Sequence, residues 1–197
     1  MAMGKAYGKL GLYDRSRPLL EDALALRRKV LPPDHPELAD SLLELADLNQ
    51  LLDDLQKSLS LAEEGLTVSR RSEHDPDRLA YANVILARIH WGLGDFEKAI
   101  PFAESALELR DVTGQDPEVL ISTLNLVGTL FDEVGRGHDA EALLQRAHAI
   151  GTRAQLENME MIKVLNNLGA IYINREELGR AEPVCVRALE IADAILG

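Results

Sequence analysis

Three columns of small residues recur in one register along this 197-residue chain, with 41 or 42 residues between successive members. A fixed period of this length is typical of a solenoid, in which copies of one supersecondary unit stack on each other. Because a single unit cannot bury its own apolar face, neighbouring units must supply the core. The columns are Gly4, Ala46, Ala87, Gly128 and Gly169; Ser16, Ser58, Ala99, Ala140 and Ala181; and Ala23, Gly65, Ala106, Ala147 and Ala188.

Each unit is predicted to be a pair of antiparallel helices. In the third unit Leu79, Leu86 and Ile89 recur at helical spacing, and Gly92 and Gly94 end the pattern before a second helix. Leucine and alanine are abundant and β-branched residues are scarce, which favours an all-α fold. The predicted helices span residues 2–10, 14–31, 36–52, 55–73, 76–92, 96–113, 117–134, 138–153, 158–174 and 178–196.

The repeats number about four and a half, because the first lacks half of its leading helix. We expect them to form one solenoid domain over residues 1–197. Neither end carries a polar capping helix, which solenoids normally need. We therefore expect a piece of a longer repeat protein; the alternative is a complete short protein whose ends cap by self-association, giving a homo-oligomer. The predicted units are 1–35, 36–75, 76–116, 117–157 and 158–197.

Charge and hydropathy exclude several classes of partner. The chain has 33 acidic and 21 basic residues and a net charge of −12, which disfavours nucleic-acid binding. No run of 18 apolar residues could cross a membrane, so no membrane association is expected. A lone cysteine, Cys185, has no partner for a disulfide and indicates a reducing compartment, the cytoplasm.

One stretch resembles a known repeat family. Leu168-Gly169-x-x-Tyr172, followed by Ala181 and Ala188, is similar to the tetratricopeptide repeat (TPR) signature. The longer period and the Asp34-His35-Pro36 and His74-Asp75-Pro76 linkers resemble the kinesin-light-chain type of this repeat. The resemblance implies a right-handed α-α superhelical solenoid of antiparallel helix pairs. It departs at Asn49 and His90, which replace the signature tyrosine, and at Asn158, which replaces a linker proline.

The residues give no indication of catalysis. The sequence has five histidines and one cysteine, and they form no His-Glu-x-x-His or Cys-x-x-Cys pattern. Its acidic residues form no calcium-loop pattern. His138 and His148 lie ten residues apart on one predicted helix and cannot share a metal ion. His90 stands in an aromatic column and is expected to be a packing residue. We predict no enzyme activity, no metal site and no cofactor.

The first helix of each unit is expected to line an inner, concave wall. Three residues before the first small column stand Leu43, Val84, Asn125 and Asn166. An asparagine amide both donates and accepts hydrogen bonds, so it can hold the backbone of an extended peptide. The family resemblance implies this role for Asn166 and Asn167 of Leu-Asn-Asn-Leu, and in part for Asn125. The predicted peptide-binding residues are Asn125, Asn166, Asn167, Arg88, Trp91, Lys163 and Asp47.

Each of these assignments has an alternative. The asparagines could instead brace neighbouring repeats, and Trp91 could pack against the adjacent unit. Arg88 and Lys163 could receive acidic groups of a partner, whereas Asp47 would repel them. The favoured function is a protein-interaction scaffold that binds a peptide or partner surface. The alternatives are a regulatory sensor for a small ligand or signalling peptide, and a structural or self-assembling repeat segment.

Overall fold

Ten helices make up the described part of the computed structural model, which covers residues 1–72, 75–113 and 116–196. All ten predicted helices are confirmed, with ends within two residues of the prediction. No strand occurs among these residues. His74 of the predicted linker lies outside them. The helices are α1 (Ala2–Lys9), α2 (Tyr13–Val30), α3 (Pro36–Leu51), α4 (Leu55–Arg71), α5 (Pro76–Gly92), α6 (Phe96–Thr113), α7 (Pro117–Glu133), α8 (Gly137–Arg153), α9 (Met159–Asn174) and α10 (Leu178–Leu196).

The linker residues begin the first helices of the repeats. Proline stands at the first position of α3, α5 and α7, where its missing N–H costs no intrahelical hydrogen bond. The preceding His35, Asp75 and Asp116 side chains accept hydrogen bonds from free backbone N–H groups of the first turn. Asn158, which departs from the family pattern, caps α9 by accepting from the Met161 N–H at 3.1 Å. The departure therefore changes the cap and keeps the helix.

The chain divides into two compact units, Met1–Leu109 and Arg110–Gly197. In the first unit α1 pairs with α2 and α3 with α4, and α5 packs on both α3 and α4. In the second unit α7 pairs with α8 and α9 with α10, and α9 packs on both α7 and α8. The first helices of successive repeats therefore contact each other within each unit. A single solenoid domain over residues 1–197, within a longer repeat protein, stays a prediction.

The small-residue columns are where paired helices come closest. A Cβ atom added to Gly4 would lie 2.8 Å from Leu20 Cδ2, and one added to Gly169 would lie 2.7 Å from Cys185 Sγ. The Ser16 hydroxyl donates to the Gly4 carbonyl at 2.8 Å, so it also joins two of the columns. Every column member is buried except Ala23, which is half-buried because α1, at 8 residues, has half the length of α3.

The burial of Ala106 in α6 generates a stability prediction. Ala106→Leu adds three carbon atoms to a fully buried site, so it should lower the free energy of unfolding by about 1–3 kcal/mol. Glu108→Leu, at an exposed position of the same helix, should change it by less than about 0.5 kcal/mol. Urea unfolding followed by circular dichroism measures both. Equal effects of the two substitutions would contradict the assignment of Ala106 to a helix contact.

Candidate interaction surface

Charged residues of the first helices pair across neighbouring repeats in the first unit. Arg88 Nη1 of α5 donates to Asp47 Oδ1 of α3 at 3.0 Å. Lys5 of α1 meets Glu44 of α3 at 2.6 Å, in the opposite direction, because here the earlier repeat supplies the cation. The predicted site residues Arg88 and Asp47 therefore lie together, with each side chain about one-third exposed. Their charges largely satisfy each other, so this wall offers no unpaired cation for an acidic partner at Arg88.

Trp91 stands three residues after Arg88, near the end of α5, and its side chain is half-buried. It belongs to the column that holds Gln50, Asp132 and Ile173 in the other full-length repeats. Ile173 is 52% exposed, so this column does not belong to the core. Half-burial is compatible with either predicted role of Trp91, packing or partner contact.

Asparagine side chains link the first helices of the second unit. Asn167 Nδ2 of α9 donates to Asn125 Oδ1 of α7 at 2.8 Å and to Thr129 Oγ1 at 3.1 Å. Thr129 in turn donates to the Asn125 carbonyl at 2.8 Å. Both asparagines are half-buried. Asn125 and Asn167 therefore brace neighbouring repeats, while part of each amide stays accessible.

Asn166 differs from both of these residues because its side chain is exposed. Within the described part of the chain, that side chain makes no hydrogen bond. Lys163, one turn earlier on the same face, is exposed and pairs with Glu160 at 3.0 Å. Ala170 and Ile173 continue this face of α9 and are also exposed. We call the face formed by Lys163, Asn166, Ala170 and Ile173 the α9 stripe.

Leu43 does not line the wall on which it was expected to lie. Its side chain is fully buried, whereas Val84 and Asn125 of the same column are half-buried and Asn166 is exposed. The reason is Gly65, the one glycine in a column of alanines. A Cβ atom there would lie 2.8 Å from Leu43 Cδ2, so the missing methyl group makes the space that Leu43 fills.

Sequence reasoning missed the contacts between the second helix of one repeat and the first helix of the next. We call each such contact a junction. At the α2–α3 junction, Arg17 Nη2 donates to Asn49 Oδ1 at 3.0 Å. At the α8–α9 junction, Glu141 accepts from Arg175 and Arg180. The Arg180 guanidinium lies 4.2 Å from the centre of the Tyr172 ring.

The ionisation of Glu141 follows from this junction. Partial burial acts to raise its pKa, but the hydrogen bonds from Arg180 and Arg175 outweigh burial and hold the pKa below its ordinary value. The carboxylate is therefore stabilised in its charged form. The sequence did contain a signal for these two junctions. Arg17 and Glu141 are charged, whereas the equivalent residues of the two repeats between them are the apolar Leu59 and Ile100.

His90 fills the aromatic position of the third repeat, as expected of a packing residue. Its ring is buried and stacks on Phe102 with ring centres 5.5 Å apart and planes at 2°. Nδ1 accepts no hydrogen bond and lies 3.9 Å from Asp95 Oδ2. Burial and the charge of Lys98 lower the pKa of His90, against the opposing charges of Asp95 and Glu63.

Both units have concave sites among their described residues. In the first unit, a groove of about 350 Å³ lies between α1 and α3 and includes Lys5, Leu48 and Tyr81. In the second, a cavity of about 350 Å³ beside the start of α9 includes His148 and Arg187. No group of three metal-binding side chains and no helix fit to cross a membrane occurs in the parts of the chain that the structure describes.

The chain matches family profiles of a known helical repeat and resembles part of a longer bacterial protein. A family profile described as tetratricopeptide repeat matches residues 1–71, 43–111 and 77–153. A second tetratricopeptide repeat profile matches residues 162–197. Lipopolysaccharide assembly protein B of Escherichia coli (strain K12) is 26% identical over 144 residues, which are 71% of this chain and 34% of that protein. The chain thus spans about a third of the length of the curated relative it matches.

Solved structures extend the similarity to nearly the whole chain. BtubC (BKLC) from P. vanneervenii is 26% identical, with a TM-score of 0.80 over 98% of this chain and 78% of that one. The nearly identical TPR-like repeats of a Podospora anserina kinesin light chain give a TM-score of 0.78 at 18% identity, over 99% and 94% of the two chains. These similarities confirm the predicted fold class, a TPR-like helical solenoid.

The lowered pKa of His90 predicts a pH dependence of stability. The folded state takes up its proton less readily than the unfolded state, whose histidine titrates near the ordinary value of 6.5. The neutral form of His90 therefore contributes its full share to the free energy of unfolding above that pH. This contribution is lost as the pH falls below it. His90→Phe should reduce the loss of unfolding free energy between about pH 7.5 and about pH 5.5. Parallel pH profiles for the two proteins, measured by urea unfolding, would show that His90 does not titrate as described.

Proposed function

We propose a scaffold function for this chain, which belongs to the tetratricopeptide repeat family and carries repeats of the kinesin-light-chain type. The fold itself supports a role in protein–protein interaction. The finer proposal is that the second unit binds an extended segment of a protein partner on the surface of α7 and α9. The observation that carries it is Asn166, an exposed amide that makes no hydrogen bond among the described residues and stands beside Asn167, which is bonded to the neighbouring repeat.

The α9 stripe supplies the kinds of contact that an extended segment needs. Asn166 offers a donor and an acceptor to a peptide backbone, and Ile173 offers 52% exposed apolar surface. Lys163 adds a cation whose side chain remains 58% exposed while it contacts Glu160. The stripe therefore combines a backbone-directed amide with an apolar and a charged neighbour on one face.

The brace between Asn125 and Asn167 also leaves hydrogen-bonding capacity. Asn167 uses its amide hydrogens, and Asn125 uses its oxygen. The oxygen of Asn167 and the Nδ2 group of Asn125 make no hydrogen bond among the described residues. One acceptor and one donor thus remain beside Asn166, at half-buried positions. The two predicted roles of these asparagines, bracing and binding, are compatible.

The affinity of such a site should be modest. Each hydrogen bond to a peptide backbone contributes a net of about 0.5–1.5 kcal/mol. A micromolar dissociation constant requires about −8 kcal/mol, so such bonds reach it only where side-chain pockets add apolar anchors. We propose that the protein acts in this way without catalysis, in the reducing environment of the cytoplasm.

A regulatory sensor for a small ligand is a second candidate. It is favoured by the cavity beside the start of α9, where His148 is half-buried and Arg187 lies at the rim. Burial and the charge of Arg187 lower the pKa of His148, so its ring is neutral near pH 7 and available as a hydrogen-bonding group. A small molecule that raises the melting temperature, and loses this effect in His148→Ala, would favour the sensor.

Asn166 and Asn167 provide a matched pair of variants for the scaffold proposal. Peptides selected from a random displayed library against the whole chain serve as probes, and calorimetry measures their affinity. Asn166→Ala should weaken binding at least about fivefold, or about 1 kcal/mol. It should change the unfolding free energy by less than about 0.5 kcal/mol. Asn167→Ala removes two bonds between repeats and should lower that energy by about 1–2 kcal/mol.

Ala149→Ser, at an exposed position of α8, controls for effects of surface substitution and should leave peptide affinity unchanged. The proposal fails if the selected peptides bind Asn166→Ala and the parent chain equally well. It also fails if Asn166→Ala destabilises the fold as strongly as Asn167→Ala.

A further inference from the structure

The cavity beside the start of α9 lies at a place where two other repeats carry an arginine. Gly151 of α8, one of its lining residues, is equivalent to Arg27 of α2 and Arg110 of α6. The equivalent residue of α4 is Ser69. The α8–α9 junction therefore lacks, at this position, a side chain that two other repeats contain.

The two arginines show which chemical group this place accommodates. Arg27 Nη1 donates to the Glu37 carbonyl at 3.0 Å and to the Ser41 hydroxyl at 2.7 Å. Arg110 Nη1 donates to the equivalent acceptors of α7, which are a first-turn carbonyl at 2.9 Å and the Thr123 hydroxyl. Arg110 is only 8% exposed although it carries a charge. A guanidinium group is therefore held between repeats wherever the chain supplies an arginine here.

A hydroxyl group of the following helix accompanies each of these arginines. The position that holds the arginine is occupied in turn by Arg27, Ser69, Arg110 and Gly151, and the hydroxyl position by Ser41, Ala82, Thr123 and Val164. Arginine and hydroxyl are thus present together in two cases and absent together in the other two. The α8–α9 junction lacks both halves of the internal contact, so a ligand bound there must use other acceptors.

The buried part of the cavity lining is apolar. Met161 takes up some of the space beside Gly151, because a Cβ atom on this glycine would overlap the Met161 sulfur. A cavity of about 350 Å³ remains, which is within the usual range of small-ligand sites, about 300–1,000 Å³. Met161, Leu165 and Ile191 line it and are each at most 2% exposed. This surface suits the aliphatic stem of a ligand.

The exposed rim of the cavity carries more negative than positive charge. Glu157 accepts a hydrogen bond from Arg187 Nη2 at 2.5 Å, and Arg187 Nη1 donates to Glu190 at 3.0 Å. Two carboxylates therefore surround one guanidinium, and Glu157 Oε2 makes no hydrogen bond among the described residues. A cation is attracted to this rim, whereas an anion would have to displace a carboxylate from Arg187.

His148 adds a neutral acceptor to the cavity. In the aligned repeats it stands where Leu24, Leu66 and Leu107 occur. Burial and the charge of Arg187 lower its pKa, so the ring is neutral near pH 7 and one of its nitrogens accepts a hydrogen bond. The ring makes no hydrogen bond within the described part of the chain. An imidazole thus replaces a leucine at the wall of the cavity and is available to a ligand.

We propose that this cavity binds a guanidinium group carried on a short aliphatic stem. The stem packs on Met161 and Ile191, and the guanidinium donates to Glu157 and His148. Its planar array of N–H donors suits two separate acceptors. A free alkylguanidine and an arginine side chain of a partner protein present the same group. This assignment rests on the sensor candidate described above and is independent of peptide binding at the α9 stripe.

The test is calorimetric titration of the whole chain with n-butylguanidine. Two matched probes are n-butylurea, which has a similar shape and no charge, and pentanoate, which carries the opposite charge. Butylguanidine should bind saturably and at least about tenfold more tightly than either. A blocked glycyl-arginyl-glycine peptide distinguishes the source of the group. Comparable affinity for this peptide indicates an arginine of a partner protein, and weaker binding indicates a free small molecule.

Two substitutions of glutamate at exposed positions test the charge of the rim. Glu157→Gln should weaken butylguanidine binding at least about tenfold, because the ligand loses its carboxylate. Glu133→Gln, at an exposed position of α7, should leave the affinity unchanged.

A triple variant replaces the ligand with an internal arginine. Gly151→Arg, Met161→Leu and Val164→Thr together introduce the residues that stand at these positions around Arg110. This variant should lose butylguanidine binding, because the chain then supplies its own guanidinium group. Circular dichroism verifies that it is folded, and the result for Glu157→Gln decides the question if it is not.

Equal affinity of the parent chain and Glu157→Gln for butylguanidine would overturn the proposal. If butylurea or pentanoate binds more tightly than butylguanidine, and His148→Ala abolishes that binding, the guanidinium assignment is wrong and the sensor candidate stands. Saturable binding by none of these probes would contradict both.

Discussion

The close approach of paired helices at the small-residue columns is the contact on which the rest of the structure depends. At Gly4, Gly65 and Gly169 an added Cβ atom would lie less than 3.0 Å from a side chain of the partner helix. Bulky residues there would push the helices apart and open the core between them. The same requirement recurs every 41 or 42 residues. It therefore also fixes the alignment that identifies equivalent residues in different repeats.

The aligned repeats contain two kinds of polar residue on their first helices. Some form bonds between repeats, and others are exposed and available to a partner. Lys5, Asp47, Arg88, Asn125 and Asn167 make contacts between first helices of successive repeats. Such bonds satisfy groups that would otherwise lose water when the helices pack. Asn166 lies next to one of these residues on α9 but points to solvent. Function is therefore proposed for the exposed amide, and bracing is assigned to its neighbour.

The sequence predicted helix positions well because local signals agree with the repeat. Proline begins three first helices, and positive backbone angles place Gly94 and Gly135 in the turns that end two of them. His90 was correctly expected to be a packing residue because its column holds an aromatic residue at Tyr7, Phe131 and Tyr172. These features depend on neighbours in sequence or on position within the repeat, and both are visible without coordinates.

Side-chain pairing between repeats was less predictable. The bond between Asp47 and Arg88 joins residues 41 positions apart, and its formation depends on rotamers that a pattern does not specify. Leu43 was wrongly placed on the wall because the effect of Gly65, a single missing methyl group, is transmitted through packing. The Glu141 junction was missed because its four residues, Glu141, Tyr172, Arg175 and Arg180, come from three helices and one turn.

Nuclear magnetic resonance of the isotope-labelled chain, titrated with a selected peptide, tests the central claim most directly. Assigned backbone and asparagine side-chain amides report which surface meets the peptide. Binding at the α9 stripe predicts that the largest shifts fall on Asn166 and Ala170, with smaller shifts at Asn125 of α7. Shifts confined to the exposed faces of α8 and α10, with the Asn166 amide unchanged, would contradict the account.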